Sequence, residues 1–479
     1  MRQVGVTLLL LGLATAALWA AWPRTRAGEA APSAPEAQPT PACTGVATCA
    51  SSACHHGNGG KGKKGSEYST WAGHDKHAQA YQVLYNDRSR AMVRNLCGDG
   101  EGVKPATEQP LCLKCHATGD GVVKGQGPRF APADGVGCES CHGPAEKYLA
   151  VHYRDGFRDK SAKEKYDEYG LWPTKNLAFR ARLCAGCHVG DADTGKEVNH
   201  DLYAAGHPRL NFEFGAYLAQ YPKHWDVRED RARYPDYEAR VWALGQATCA
   251  RASLAILKQR ADSAAKGGKG AAPWPEFAEY DCFACHKNLR PGSPRQKAGF
   301  GDRLPGSLPW GTWYWSAALP FAKQTDPKFD ANQWAELRKE MERPSPRPVE
   351  VSRLAGDLLK QADGWRTRVA QAGKPDAANV REFMARLLGD EKRADSLTWD
   401  EATQLYLALE ALSRARFELE PNRAPPPGFA GGLGDLRKEL VAAFQLPGAK
   451  GQRVESPASF DPARLTEPLR TLRTNLGDK

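Results

Sequence analysis

The pentapeptide Cys112-Leu-Lys-Cys115-His116 constrains this chain more than any other feature, because it recurs. Copies stand at Cys138-Glu-Ser-Cys141-His142, Cys184-Ala-Gly-Cys187-His188 and Cys282-Phe-Ala-Cys285-His286. Cys-x-x-Cys-His is the attachment signal for c-type haem: both thiols add to the vinyl groups of one macrocycle, and the adjoining imidazole ligates its iron. Two intervening residues let both sulfurs reach one ring with the imidazole beneath it. With 13 Cys and 12 His in the chain, chance would supply only roughly 0.01 copies. Zinc knuckles also use paired Cys-x-x-Cys, but zinc does not require a histidine directly after every pair. Haem edges must then form much of the interior. The expectation is a mainly α fold with much irregular loop, a multihaem core followed by a helical C-terminal domain.

A fifth site is less regular. Cys49-Ala-Ser-Ser-Ala-Cys54-His55 has four residues between its thiols, a spacing similar to variant attachment sites in some multihaem cytochromes. The competing reading is a loop disulfide between Cys49 and Cys54. Taking His55 as a proximal ligand gives about five haems c, with proximal residues His55, His116, His142, His188 and His286. Each iron then needs a sixth ligand or keeps an open face. Met92 is the only methionine between Cys49 and His286, so bis-histidine ligation is the expectation, at lower potential than His/Met. The candidate distal residues are His74, His77, His152, His200, His207 and His224. His56, which directly follows a proximal ligand, is the weakest. A helix over 67–85 would put His74 and His77 on one face.

The segment Gly-Val-Gly-Cys138-Glu-Ser-Cys141-His142-Gly-Pro, with a histidine further on, resembles the multihaem cytochromes c of the hydroxylamine oxidoreductase superfamily. The most similar type is the tetrahaem cytochrome that accepts electrons from hydroxylamine oxidoreductase. The resemblance covers about residues 45–290. It implies haems stacked in parallel and perpendicular pairs, distal histidines from remote loops, and electron transfer, with catalysis in some members. This chain departs from the pattern in its wide first site and its long tail without haem.

The formal net charge of +10 would ordinarily suggest nucleic acid or an anionic membrane. Five haems add about −10 from their propionates, and each ferric bis-histidine centre about +1, so the loaded protein is only mildly basic. No nucleic-acid module is visible, and redox proteins are the expected partners. Arg2 and the apolar run 4–22 form a secretory signal or an uncleaved anchor over 1–26. Either way the folded part is exported, with periplasmic placement and anchoring to the inner membrane as the remaining alternative. An Ala/Pro-rich linker follows over 27–42, then a pentahaem domain over 43–295, a Pro/Trp-rich strap over 296–350 and a helical domain over 351–479.

Within these, 239–264 reads as a helix with Val241, Leu244, Ala247, Leu254 and Leu257 on its apolar side. Thr398 with Glu401 forms a capping box, and Asp461-Pro462 starts a helix striped by Leu465, Leu469 and Leu472. Cys249 reads as a small buried apolar residue, while Cys43 and Cys97 either pair or stay free. Arg209, beside His207, is expected to pair with a haem propionate. The leading functional reading is an electron carrier. Its rivals are a reductase or oxidase of a small nitrogen or sulfur compound at one five-coordinate haem, and a non-catalytic subunit of a respiratory complex.

Overall fold

Short helices joined by loops make up the attachment half, and long helices make up the rest. The structure, a computed structural model, describes residues 41–57, 60–268, 271–286, 300, 303–421, 426–442 and 460–477. Among them there is no β-strand, only the isolated bridges Asp191–Lys196 and Tyr280–Trp310. The fold is mainly α with much loop. No helix among the described residues is long and apolar enough to cross a membrane; the apolar run 4–22 lies outside them.

The first half contains α1 (Glu67–His74), α2 (Asp87–Cys97), α3 (Pro110–His116), α4 (Leu177–His188), α5 (His200–Ala205) and α6 (Phe214–Gln220). Asparagine side chains start three of them: Asn86, Asn176 and Asn199 accept the N–H of Ser89, Phe179 and Leu202. These caps satisfy donors that a helix N-terminus cannot pair internally. Pro110 occupies the first turn of α3, where its missing N–H costs nothing.

The expected helix over 67–85 is not continuous. It stops at His74, and Asp75 is extended with φ −88° and ψ 124°. The Asp75 carboxylate accepts the His77 N–H at 3.0 Å and so caps a new turn, Lys76–Gln79. Aspartate competes for backbone donors in this way, which favours caps over helix interiors. His74 and His77 therefore do not share a helix face; His74 is exposed and His77 turns inward.

The central element is α7 (Tyr237–Lys266), which overruns the expected 239–264 by two residues at each end and stops at Gly267 with φ +60°. It has no proline, and apolar residues surround it, as befits a helix buried on several sides. Leu177, Ala181 and Ala185 of α4 join its core, so α7 braces the helix that carries the Cys184–His188 site. α6 crosses closely at Gly245: a Cβ there would lie 2.8 Å from Phe214 Cβ.

The tail begins with the buried residues Trp310, Trp313 and Trp315. The segment expected as an extended strap also holds α8 (Ala318–Thr325) and α9 (Ala331–Met341). Then come α10 (Pro348–Gln371), α11 (Ala377–Leu388), α12 (Trp399–Leu419), α13 (Pro427–Ala442) and α14 (Thr466–Thr474). The capping box forms at α12, with Thr398 and Glu401 bonding each other's backbone N–H. Asp461 caps a 3-10 turn, Pro462–Leu465, that leads into α14, and Leu465, Leu469 and Leu472 are fully buried. α7 serves two cores: Leu254 and Leu257 pack with Leu358 and Trp365 of α10, while Trp242 packs with Phe383 of α11. No disulfide joins any of the thirteen cysteines, all of them among the described residues, and Cys249 is buried in the first core.

Candidate haem centres

Four of the five proximal histidines face a second imidazole at nearly one separation. The ring centres of His55 and His152 lie 6.2 Å apart, His116 and His207 6.5 Å, His142 and His224 6.1 Å, and His188 and His77 6.0 Å. One metal held between two imidazoles sets this distance at roughly 6 Å, from bonds of about 2 Å on each side plus about 1 Å to each ring centre. The rings of His55 and His152 are near parallel, at 11°, while the other pairs lie at 61–84°.

Ligand duty requires one ring nitrogen to be free and aimed, which the partner of the other nitrogen decides. His116 Nδ1 donates to Ala80 O at 2.7 Å, His207 Nδ1 to Pro208 O at 2.7 Å, and His152 Nδ1 to Leu149 O at 2.9 Å. His55 Nδ1 meets Glu67 Oε2 at 3.2 Å. His77 Nδ1 meets Asp75 Oδ1 at 2.9 Å, and the Tyr221 hydroxyl donates to the other Asp75 oxygen at 2.7 Å. In all five, Nε2 is left for a metal. His188 is held by rings instead, with Phe212 stacked at 5.1 Å and Tyr217 at 5.3 Å. The Nδ1 of His224 is buried without a hydrogen-bond partner, and Trp225 and Tyr221 pack on its ring.

Electrostatics support neutral imidazoles at the most enclosed sites. Burial, then the neighbouring His224 and His55, pushes His142 down to about 4. Burial, then His77 and His116, pushes His188 down to about 4. Burial also lowers His224 and His207. His77 goes the other way: burial would lower it, but the bond to Asp75 and its charge outweigh burial and raise it.

The thiols fix which sites adjoin. The Cys138 and Cys49 thiols lie close enough to shift each other's ionisation, which puts the first and third sites side by side. The Cys115 and Cys187 thiols likewise shift each other's ionisation, which puts the second and fourth side by side. Cys141 and Cys184 lie within electrostatic reach of each other, which brings the third and fourth together. The resulting order is 55, 142, 188, 116 by proximal histidine. Cys282 lies near Arg209 and Tyr203, on the His207 side of this row. Cys54 and Cys285 are exposed.

Of the remaining candidates, His200 packs against Phe277 at 5.6 Å and His74 is exposed at the end of α1. His56 packs against Tyr68 at 4.8 Å. Arg209 does not stand open to an anion. It makes a two-pronged ion pair with Asp400 of α12, at 2.6 and 2.5 Å, between the rings of Phe283 and Trp313. The tail thus supplies the counter-charge that the sequence reading sought on a propionate.

Three supporting carboxylates escaped sequence reasoning. Asp75 and Glu67 orient histidines. Glu139, inside the third motif and 4% exposed, accepts the N–H of Thr44, Gly45 and Ala145 at 2.7–2.8 Å. It ties the stretch leading to Cys49 against the third site. The one available signal was an acidic residue two places before a histidine, or inside a motif, where it could reach backbone donors.

Residues 48–143 match the family described as Cytochrome c554 and c-prime. Over 96 residues the chain is 32% identical to cytochrome c-554 of Nitrosomonas europaea, an alignment covering 18% of this chain and 37% of that protein. The chain therefore spans well under half the length of that relative. No solved structure matches the chain. The matched segment contains the first three attachment sites, and the similarity supports a c-type cytochrome with covalently bound haem.

Proposed function

We propose that this chain is an exported electron carrier, a multihaem cytochrome c with five covalently held haems in a row. Four would lie between the pairs His55/His152, His142/His224, His188/His77 and His116/His207, and the fifth at Cys282, Cys285 and His286. The observation that carries this reading is the near-constant 6.0–6.5 Å between paired imidazole centres. A zinc knuckle would gather sulfurs about one ion and has no use for paired imidazoles at this spacing. Relation to the hydroxylamine oxidoreductase superfamily, a periplasmic location and redox proteins as partners belong to the same proposal.

Haem, when bound, supplies one-electron redox chemistry at low potential under two-nitrogen ligation. The protein's residues do the rest. Carbonyls and carboxylates on Nδ1 aim the Nε2 of His55, His77, His116, His152 and His207. Burial keeps His142 and His188 neutral, so their lone pairs are available across the physiological range. The attachment cysteines of neighbouring sites lie close together, which would set the haems near one another as short-range electron transfer requires.

The test is intact mass with spectroscopy. The mature protein should exceed its polypeptide by five haem groups, and the paired centres should be low-spin when ferric. His207→Ala or His77→Ala should turn one centre high-spin. A colourless zinc protein, or unchanged low-spin spectra in both variants, would refute the proposal.

A further inference from the structure

Resting on the five-haem reading, we infer that His200 supplies the second axial nitrogen at the fifth centre, opposite His286. Helix α5 and the turn ending it would then carry ligands for two haems, His200 at one end and His207 at the other.

The histidine inventory narrows the choice. Of the twelve, five follow attachment cysteines and four are their ring partners. His56, His74 and His200 remain. His56 lies on Tyr68 beside the first site, and His74 is exposed beside the fourth site's partner segment. Of these three, His200 alone is fastened to the turn that leads into the last motif. Its backbone N–H donates to Glu276 Oε1 at 2.8 Å, and the same oxygen accepts the Ala278 N–H at 3.0 Å. Its ring meets Phe277 edge-on at 5.6 Å. The turn Phe277–Glu279 runs directly into the Cys282–Cys285 helix.

The face of α5 agrees. His200 and Tyr203 are three residues apart and share one side of the helix. The Tyr203 phenol lies within electrostatic reach of the Cys282 thiol, so this side of α5 looks onto the fifth attachment site. Methionine is no competitor: Met341 and Met384 are sealed in the helical cores, and Met92 lies against Gly206. The row then extends as 55, 142, 188, 116, 286, with α5 as the span between its last two members.

The experiment uses the haem-loaded full chain. In His200→Ala, all five haems should remain and one ferric centre should pass from low to high spin, with added imidazole restoring it. In His200→Met, five haems should remain low-spin and one midpoint potential should rise, since methionine favours the ferrous state. His56→Ala and His74→Ala should change nothing. Five low-spin centres in His200→Ala, or the spin change appearing in His56→Ala or His74→Ala instead, overturns the assignment. If the alanine variant does not fold, an unchanged set of potentials in His200→Met does so. The underlying reading is checked separately by Cys282→Ala/Cys285→Ala: a haem mass no lower than that of the parent protein would remove the fifth centre itself.

Discussion

Replacing Asp400 by alanine should be among the most damaging single changes in the tail. The carboxylate is 2% exposed and the Arg209 side chain 18%. Two hydrogen bonds join them, and aromatic rings close both sides. Burial alone would lower the guanidinium pKa, but Asp400 outweighs it and raises it. Without Asp400 a buried cation loses its counter-charge, which costs about 3–5 kcal/mol, whereas replacing both partners with apolar residues is often near neutral. Arg209→Met/Asp400→Leu should therefore recover most of the loss. Residues 41–479 form one compact unit of roughly 440 residues, whose unfolding entropy of about 0.9 kcal/mol/K converts the single-variant loss to a Tm drop of about 3–5 °C. Urea titration of the ferric protein by circular dichroism measures the free energy, and a thermal scan the shift. A loss under about 1 kcal/mol, or a double variant as damaged as the single, would refute the argument. Arg209 would then be neutralised by another anion.

Three further outcomes are expected. Asp75→Asn weakens the acceptor on His77 Nδ1; at the 10–100-fold effect typical of such supporting groups, one midpoint potential should rise by about 60–120 mV, and spectroelectrochemistry showing no shift would discount the Asp75 role. Glu139→Ala leaves three backbone donors without their acceptor at about 1–3 kcal/mol each, so denaturant titration should show a loss of about 3 kcal/mol or more. Burial would raise Glu340, but bonds from Arg347 hold it below 4.5. A depressed folded-state pKa stabilises the protein above pH 4.5, and that contribution fades as pH falls through the lower folded value; Arg347→Ala should flatten the stability profile in that acid window and leave its shape above it unchanged.

The proximal side of each centre is legible in the sequence because covalent attachment dictates spacing between near neighbours. α7 and the Thr398 cap are legible for the same reason, since helix periodicity and capping act over a few residues. The ring partners are another matter. His152 meets His55, and His77 meets His188, across long loops whose paths depend on packing. The break at Asp75 was hidden because 67–85 keeps a helical pattern on both sides; only the carboxylate's capture of the His77 N–H ends it. Arg209 misled for a related reason. It stands two residues after a candidate ligand, His207, but its counter-ion arrives from α12, a helix far along the chain.

The thiol contacts also impose an order on manufacture. In the folded polypeptide, Cys49 lies near Cys138 and Cys115 near Cys187, each time across two different motifs. If the chain is exported as proposed, sulfurs so placed are open to disulfide formation. Such a bridge would consume one thiol from each of two attachment sites at once. On the five-haem proposal, a chain that folded and oxidised first would be a dead end, so the sulfurs would have to be joined to haem before the polypeptide closes around them.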